Sequence, residues 1–336
     1  MRILLIRDKR AGHRNQVEAI AAIAANETDV AIDRIDIRRW RVVGGNLRHR
    51  VFRTFADDRG RLLNILFGIR LTAAERPDLV IASGRATFIA GSLIARQFGT
   101  KLLHSGFLSG FDPEYFDLML VQSPRFAHEP KSVFTPLPCA VDPEQLPRPR
   151  ELSRIEDLRS ASIGLLLGGN ASEYRFAASD WRGLVELVRA TKQDFGLRWR
   201  VSTSRRTPRW ASQQFRSLVQ EGVIEQLVDY RSAGPGSAAD LFKSDAIAVT
   251  EDSRSMTAEA MAARRPVVVL RPQRVRPSRA TEEMAVMACS RAVAVLPIGS
   301  VEAELFATTL LSLKPDDRDP RDAIAAAIRP LLRTVA

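Results

Sequence analysis

Residues 78–104 read DLVIASGRATFIAGSLIARQFGTKLLH, and this stretch decides the fold class. It begins with a short apolar run, Asp78–Ala82, which is typical of a buried strand. Ala86–Phe98 has helical spacing, and Lys101–His104 is again short and apolar. A strand, a helix and a second strand in this order predict a βαβ unit whose two strands run parallel in one sheet.

The same alternation continues on both sides of this unit. The other predicted strands are Arg2–Ile6, Val30–Ile37, Asp117–Gln122, Ala161–Leu167, Arg198–Thr203, Gln226–Tyr230, Asp245–Thr250, Pro266–Leu270 and Ala292–Leu296. The other predicted helices are Asn15–Ala25, Asp180–Thr191, Pro208–Val219, Met256–Ala263, Thr281–Cys289 and Pro320–Leu332. Pro136–Ser153 is rich in proline and has no periodicity, so we interpret it as a linker. A chain of 336 residues is long enough for two such α/β domains.

The composition is that of a globular protein with excess positive charge. The formal net charge is +11, which favours phosphates, nucleic acid or an anionic membrane as partners. The first strand is too soon followed by charged residues to be a signal peptide, and no stretch has the ~20 apolar residues of a membrane-spanning helix. We therefore expect a cytoplasmic protein. Cys139 and Cys289 lack the spacing of zinc ligands, so we expect them to be small core residues.

Polar residues follow the predicted strands of the first half. Ligands of open parallel sheets bind beyond the carboxyl ends of the strands. After the first strand, Gly12 is expected to allow a tight turn, and His13 begins a helix, where it could act as a general base or simply cap the turn. The turn from Ser83 to Arg85 faces an anion or is purely structural. The candidate residues of this edge are Asp8, Gly12, His13, Asn15, Gln16, Ser83, Gly84 and Arg85.

Two turns of the second half carry residues that suit phosphate binding. Gly168, Gly169 and Asn170 follow its first strand, where glycines let a phosphate or sugar approach the backbone; an ordinary βα turn is the alternative. The next strand is followed by Ser204, Arg205 and Arg206. Hydroxyl and guanidinium groups at a strand end suit a diphosphate, although they are also common in solvated basic turns.

The most informative turn lies at residues 250–260, which read TEDSRSMTAEA. We predict that Ser255 is the N-cap of the helix that follows and that Glu259 lies one turn inside it. A phosphate on the helix N-terminus and ribose hydroxyls on a carboxylate one turn later would hold a nucleotide. Glu259 has a capping or surface role as its alternative. The candidate residues here are Asp252, Ser253, Ser255, Met256, Thr257 and Glu259.

The segment Arg38–Arg70 differs in composition from the rest of the chain. It mixes many arginines with Trp40, Phe52, Phe55 and Phe67. Basic residues beside exposed aromatic rings suit an anionic membrane surface or a lipid-linked acceptor. The alternative is an ordinary helix and loop with its apolar face in the core. No nucleic-acid-binding motif accompanies the segment, so nucleic acid is not expected as a partner.

Five segments together resemble a known family. DKRAGHRNQ (8–16), PDLVIASGR (77–85), GGN (168–170), STSRRTP (202–208) and VTEDSRSMTAEA (249–260) are similar to segments of the mitochondrial-fission ELM-type proteins of plants and bacteria. The bacterial members are usually described as candidate glycosyltransferases. A looser similarity extends to the transferase that adds N-acetylglucosamine to lipid-linked muramyl peptide. By that likeness, His13 belongs to an acceptor-side loop, Gly168 and Gly169 to a donor-side turn, and Glu259 to the ribose site.

The resemblance implies an α/β protein of the GT-B type, with two Rossmann-like domains facing each other across a cleft. Residues 1–145 would form the acceptor-side domain, and residues 155–315 would bind the nucleotide sugar. The C-terminal helix, residues 319–336, would pack back on the first domain. The donor would be held by Gly168, Gly169, Asn170, Ser204, Arg205, Arg206, Ser253, Ser255, Met256, Thr257 and Glu259.

The implied activity is transfer of a sugar from a nucleotide sugar to a lipid-linked or lipopolysaccharide-type acceptor of the cell envelope, with inversion and with neither a metal nor another cofactor. His13 would be the base, with Asp8, Glu251 and Asp252 as rivals. Such an acceptor implies peripheral association with the inner membrane. Two alternatives stay open. One is a non-catalytic, membrane-associated adaptor that kept the fold. The other is a nucleotide-sugar epimerase, which needs no separate acceptor.

Overall fold

The computed structural model describes residues 1–37, 59–234, 236–315 and 318–335. The chain divides into two compact units. The first comprises Met1–Ala140 together with Pro320–Ala336, and the second comprises Val141–Asp319. The C-terminal helix, Pro320–Val335, is thus part of the first unit.

The described residues of the first unit form one parallel six-stranded sheet. Its strands are β1 (Arg2–Arg7), β2 (Ala31–Asp36), β3 (Leu79–Ser83), β4 (Lys101–Ser105), β5 (Leu118–Val121) and β6 (Ser132–Phe134), in the order β2-β1-β3-β4-β5-β6. Its helices are α1 (Ala11–Glu27), α2 (Arg59–Phe67), α3 (Arg85–Phe98) and the C-terminal helix. The strands predicted for this half are all present, whereas β6 was not predicted.

Alternation of side chains along the central strands buries both faces of this sheet. Ile3 and Leu5 of β1 pack in one cluster with apolar residues of α1 and with Ile328 of the C-terminal helix. Leu4 and Ile6 point the other way and pack with residues of α2 and α3. The continuous apolar run of β1 is therefore the signature of a strand covered by helices on both sides.

The second unit repeats this architecture. Its main sheet has the order β10-β9-β7-β11-β12-β14, with parallel strands β7 (Ser162–Leu166), β9 (Arg198–Ser202), β10 (Ile224–Val228), β11 (Ala246–Thr250), β12 (Val267–Arg271) and β14 (Val293–Pro297). The helices are α4 (Ala178–Phe195), α5 (Arg209–Gln220), α6 (Tyr230–Ala233), α7 (Arg254–Ala262), α8 (Arg279–Ala288) and α9 (Ala303–Ser312). A two-stranded antiparallel ribbon, β8 (Tyr174–Arg175) with β13 (Arg274–Val275), was not predicted, and neither was α9.

In each sheet the strand order reverses beside the first strand of the unit. β1 lies between β2 and β3, and β7 lies between β9 and β11. The turns that follow β1 and β3, and those that follow β7 and β11, therefore meet at the carboxyl edge of their own sheet. Such reversal points are where open α/β sheets bind ligands.

The proline-rich stretch that we interpreted as a linker belongs mostly to the second unit. Val141 and Leu146 pack against its core. The buried Arg265 donates from Nη2 to the carbonyl of Pro147 (2.5 Å) and from Nε to that of Phe242 (2.8 Å). Because these contacts attach the stretch to the sheet, the second unit begins at residue 141, earlier than the predicted boundary at 155.

Three local predictions are corrected by the structure. Helix α7 begins at Arg254 with Ser253 in the N-cap position, so Ser255 lies in the first turn. Gly12 lies inside α1, has no positive φ, and would not meet any atom within 4 Å if it carried a Cβ, so the turn does not require a glycine there. Cys139 is buried as expected, but Cys289 is exposed.

The basic and aromatic segment is described only from residue 59 onward. Its described part is α2, whose Leu62, Leu63, Leu66 and Phe67 are buried in the core of the first unit. Phe67 is thus not an exposed aromatic ring. Trp40, Phe52 and Phe55 lie outside the described residues. Within the described ranges, no helix has the length and apolar character needed to cross a bilayer.

Glycine positions give a direct test of this packing. Gly164→Ala should lower the free energy of unfolding by about 1–3 kcal/mol, because its Cβ would lie 2.8 Å from Ile247 Cδ1 and 3.0 Å from the carbonyl oxygen of Leu241. Gly12→Ala should instead raise it by up to about 1 kcal/mol, because alanine favours a helix and finds open space there. Urea unfolding followed by circular dichroism measures both changes. Equal stability of the two variants would contradict this account of the sheet.

Candidate functional site

In the second unit, the turn after β7 is fastened to the turn after β11. The amide of Gly168 donates to Thr250 Oγ1 (2.7 Å), and the amide of Gly169 donates to Asp252 Oδ2 (3.0 Å). A Cβ at Gly168 would overlap the Asp252 carboxyl group. Gly169 has φ +154°, and a Cβ there would overlap the carbonyl of Arg206. Both predicted glycines are therefore required by close packing between turns.

The turn after β9 is also hydrogen-bonded to the turn after β7. Ser204 Oγ (3.2 Å) and Thr207 Oγ1 (2.7 Å) both donate to the carbonyl of Gly168, and both residues are buried. The Ser204 amide in turn donates to Thr207 Oγ1 (2.9 Å). The Ser204 hydroxyl, predicted as a diphosphate ligand, is thus bonded to backbone within the turn. Asn170 is used in a similar way, since its Oδ1 accepts from the amide of Phe176 (2.8 Å).

Asp252 and Arg206 form an ion pair at the centre of the three turns. Arg206 Nη2 lies 2.5 Å from Asp252 Oδ2, and the Asp252 side chain is fully buried. Burial raises the pKa of the Asp252 carboxyl above its ordinary value, while the Arg206 charge acts in the opposite direction. The carboxyl group therefore holds the turns together. Arg205, the other predicted arginine, is exposed.

Helix α7 presents an N-terminus that no side chain caps. Ser253 is at the N-cap position and is buried, but its side chain makes no bond to the first-turn amides. In the same unit, Ser278 caps α8 by accepting from the amides of Ala280 (3.2 Å) and Thr281 (3.3 Å). The first-turn amides of α7, which include those of Ser255 and Met256, are available to an anion at the positive end of the helix.

Carboxylates around α7 are bound to arginines that the sequence analysis did not single out. Glu251 is fully buried and accepts two hydrogen bonds from Arg271 (2.6 and 2.7 Å). Glu283 is buried and pairs with Arg279 (3.0 Å) and with Arg254. Glu251 directly follows β11 and Arg271 is the last residue of β12, so the two side chains meet because these strands are neighbours in the sheet. Glu259 lies partly buried on α7, and Thr257 donates from its hydroxyl to the carbonyl of Ser253 (3.2 Å).

In the first unit, Asp8 and His13 form a hydrogen-bonded pair at the carboxyl end of β1. Asp8 Oδ2 lies 3.0 Å from His13 Nδ1, and Asp8 Oδ1 accepts from the amide of Arg10 (2.9 Å). Since a carboxylate can only accept, Nδ1 carries the proton of this bond, which in a neutral imidazole leaves the lone pair on Nε2. The His13 side chain is 23% exposed.

The electrostatics of this pair favour an ionised Asp8. Burial by itself would raise the pKa of Asp8, but the hydrogen bonds from His13 and from the Arg10 amide outweigh it and hold the pKa below its ordinary value. A buried carboxylate that orients an imidazole through Nδ1 is the arrangement that lets Nε2 act as a base.

Gly84 packs against the His13 ring and is itself held by the buried His104. Gly84 has φ +94°, and a Cβ there would overlap the His13 ring. Its amide donates to His104 Nε2 (3.0 Å), and His104 Nδ1 donates to the carbonyl of Gly106 (2.7 Å). His104 was not predicted as a site residue because it lies within a strand, yet its Nε2 holds the turn that contacts His13 and its Nδ1 holds the turn after β4.

Gln16 lies one turn after His13 on α1 and joins two strands. Its Oε1 accepts from Ser83 Oγ (2.9 Å) and from Ser105 Oγ (2.8 Å). These bonds direct the side-chain amide toward the same edge as His13. Of the other predicted residues, Asn15 is exposed, and Arg85 is exposed with its guanidinium 5.2 Å from the ring centre of Phe111.

Within the described ranges, no cluster of histidine, cysteine, aspartate and glutamate has the arrangement needed to hold a metal ion. The two carboxyl edges instead offer hydrogen-bond donors, an oriented imidazole and arginine.

The lowered pKa of Asp8 predicts a pH-dependent stability. A carboxyl whose pKa is lower in the folded state stabilises the fold at pH values above its unfolded pKa of about 3.9, and this contribution is lost as the pH falls through the folded value. Asp8→Asn should therefore lower the urea midpoint at pH 7, and its difference from the wild type should shrink as the pH falls through the folded pKa of Asp8. Asp29→Asn, at an exposed position of the same unit, is the control and should show no such difference. A gap for Asp8→Asn that persists unchanged as the pH falls through that value would contradict the assignment.

Comparisons with solved structures agree on the fold. The UDP-GlcNAc 2-epimerase of Methanocaldococcus jannaschii is 14% identical, with a TM-score of 0.61 and coverage of 99% of this chain and 100% of that one. MurG of Acinetobacter baumannii is 13% identical (TM-score 0.54; coverage 100% and 99%). The ADP-heptose lipopolysaccharide heptosyltransferase II of E. coli is also 13% identical (TM-score 0.52; coverage 98% and 100%). A search of curated protein sequences found no match.

These similarities show a GT-B fold of two Rossmann-like domains, as the sequence predicted. The family model described as mitochondrial fission ELM1 matches residues 11–329, which is nearly the whole chain. The protein therefore belongs to the mitochondrial fission ELM1 family.

Proposed function

We propose that the protein is a glycosyltransferase that uses a nucleotide sugar as donor, with the nucleotide held by the second unit. The observation that carries the proposal is the Asp8–His13 pair, because a partly exposed imidazole oriented by a carboxylate suits removal of a proton from a hydroxyl group. A protein that only docks partners has no need of such a pair.

The donor side of the proposal is supported by α7 and the turns around it. The uncapped first turn of α7 offers amides and a positive helix end to the diphosphate of the donor. The turns after β7 and β9 are adjacent to it, and the exposed Arg205 adds positive charge there. Glu259, one turn into the helix, is proposed as the ligand of the ribose hydroxyls. The similar epimerase of Methanocaldococcus jannaschii has been solved in complex with UDP-GlcNAc and UDP.

The proposed reaction is a single displacement. His13 Nε2 takes the proton of an acceptor hydroxyl, whose oxygen forms a bond to the anomeric carbon while the bond from that carbon to the diphosphate oxygen breaks. Inversion at the carbon follows from attack opposite the leaving group. The α7 amides stabilise the negative charge on the departing nucleoside diphosphate, the role that a metal ion plays in other sites. Asp8 stabilises the imidazolium that forms.

The hydrogen bonds around the rival bases decide whether each of them can accept a proton from the acceptor. Asp252 is buried and bonded to Gly169 and Arg206, and Glu251 is buried and bonded twice to Arg271. Both carboxylates are proposed to position the turns of the donor site and to take no part in proton transfer. Asp8 acts through His13 for the same reason, because both of its oxygens are already hydrogen-bonded.

The acceptor is proposed to be a lipid-linked or lipopolysaccharide-type glycan at the inner membrane. This part of the proposal depends on the basic and aromatic composition of residues 38–58, which lie outside the described ranges, and on the excess of positive charge. The heptosyltransferase of E. coli, which is similar in fold, is by its name an enzyme of lipopolysaccharide.

A nucleotide-sugar epimerase is the second candidate. The observation in its favour is the fold similarity to the Methanocaldococcus jannaschii epimerase, whose two structures give TM-scores of 0.61 and 0.56, against 0.54 and 0.52 for the two transferases. An epimerase converts the nucleotide sugar alone. Formation of a second nucleotide sugar in the absence of any acceptor would therefore replace the transferase proposal by this one.

Nucleotide binding is the first test. A panel of UDP, GDP, ADP and CMP sugars should contain a ligand that raises the melting temperature, since a hundredfold excess over Kd stabilises a folded protein by about 2.7 kcal/mol. Glu259→Gln should weaken the binding of that ligand. Glu304→Gln, at an exposed position on α9, should leave its affinity unchanged. If no member of the panel binds, a non-catalytic adaptor becomes the better explanation.

Turnover tests the base. His13→Ala should lower kcat about 10²- to 10⁴-fold while leaving Kd for the nucleotide unchanged, because it removes the proton acceptor alone. Measured in buffer with EDTA, the wild type should keep its rate. His128→Ala, at an exposed position of the same unit, is the control. Unaltered kcat in His13→Ala would exclude this residue as the base, and complete loss of wild-type turnover in EDTA would exclude the metal-independent scheme.

A further inference from the structure

The antiparallel ribbon of β8 and β13 spans the end of β11. β8 follows the glycine turn after β7, and β13 follows β12. In the main sheet, β11 lies between β7 and β12. The ribbon therefore connects the turns on either side of the strand that leads into α7, and it borders the proposed diphosphate position.

The inner side of the ribbon is fixed by Tyr174. This side chain is 1% exposed, and its hydroxyl is buried without a hydrogen-bond partner among the described residues. Burial, together with the nearby negative charge of Glu251, raises the pKa of its phenol, so Tyr174 is neutral at physiological pH. Because Tyr174 packs near Glu251 and Arg271, the ribbon is attached to the turn after β11.

The outer side of the ribbon carries arginines. In the register of the two strands, Arg175 lies directly opposite Arg274, and both are exposed. The amide of Arg276 donates to the carbonyl of Glu173 (2.8 Å), so the acidic Glu173 lies opposite Arg276 on this side, and no ion pair joins these two side chains. Like charges placed opposite each other destabilise a strand pair, and a ribbon this short has little stability to lose.

These arginines are not neutralised by the carboxylates of the site. Glu251, Asp252 and Glu283 are each bonded to other arginines. Arg175 bonds to the carbonyl groups of Ala171 and Tyr174. For Arg274 and Arg276, no ion pair or side-chain hydrogen bond is formed within the part of the chain that the structure describes. The outer side of the ribbon thus holds two arginines whose guanidinium groups are available to an anion.

We propose that the ribbon binds a carboxylate on the transferred sugar, so that the donor is the nucleotide derivative of an acidic sugar. This inference rests on the proposed function, because it takes the diphosphate to lie at α7. With the diphosphate there, the next group of the donor is its sugar, and the guanidinium groups of Arg274 and Arg276 match a carboxylate in charge and in planar geometry.

The experiment compares donors that share a nucleotide and differ by one carboxylate. Affinities are measured by calorimetry for UDP-glucose with UDP-glucuronate and for GDP-mannose with GDP-mannuronate. In at least one pair the acidic sugar should bind roughly tenfold more tightly, as expected for one charge-assisted contact. Arg274→Gln and Arg276→Gln should each reduce that preference, while the affinity for the neutral sugar of the same pair stays unchanged.

Arg291→Gln is the control, since Arg291 is exposed before β14 at the opposite edge of the sheet, and it should retain the preference. Equal affinity for acidic and neutral donors in the wild type would overturn the inference and leave the proposed function standing. An acidic preference that survives both ribbon substitutions would also overturn it. If neither member of either pair binds, and no other nucleotide or nucleotide sugar of the panel binds, the proposed function and this inference fail together.

Discussion

The carboxylate of Asp252 is the group on which the second unit's carboxyl edge depends. It is buried away from water, which is unfavourable for a charged group. Its hydrogen bonds to the Gly169 amide and to Arg206 offset this loss of hydration. Through these bonds it joins the turns that follow β7, β9 and β11. Gly168 leaves room for the carboxyl group itself, and Gly169 leaves room for the carbonyl of Arg206. The position of the α7 N-terminus, which begins two residues later, is a consequence of where this carboxyl group lies.

The first unit uses the same device with a different result. Asp8 also lies at a strand end and also binds a backbone amide, but its second partner is the imidazole of His13. The pKa of Asp8 is lowered, whereas the pKa of Asp252 is raised. The difference reflects how deeply each carboxyl group is buried and how completely hydrogen bonds replace its lost water. One aspartate holds turns together, and the other orients a ring that stays accessible.

The sequence predicted the strands and most helices because each is encoded locally, as DLVIA followed by a helical spacing shows. It also predicted that the site residues follow the carboxyl ends of the strands, as ligand sites of parallel sheets do. It could not predict what the side chains of those turns do. Ser204 has the chemistry of a phosphate ligand, yet its hydroxyl bonds a carbonyl 36 residues earlier in the chain. Gly84 and His104, or Glu251 and Arg271, become partners only when strands align, and no local pattern reveals such pairs. Gly12 was predicted to allow a tight turn because it lies near one, but it lies inside a helix and the turn does not require it.

The C-terminal helix has a consequence for the biosynthesis of the chain. Ile324, Ile328 and Leu332 complete the core that contains Ile3 and Leu5, but the whole second unit is encoded between these two groups of residues. On the ribosome, the part of this apolar face that the C-terminal helix covers beside α1 therefore stays exposed while residues 141–319 are translated. At 5–20 residues per second, a rate that is about typical of translation, this interval lasts roughly ten seconds or more. During that time the second unit can fold from contiguous sequence, whereas the first unit is a natural client for chaperones that shield apolar surface.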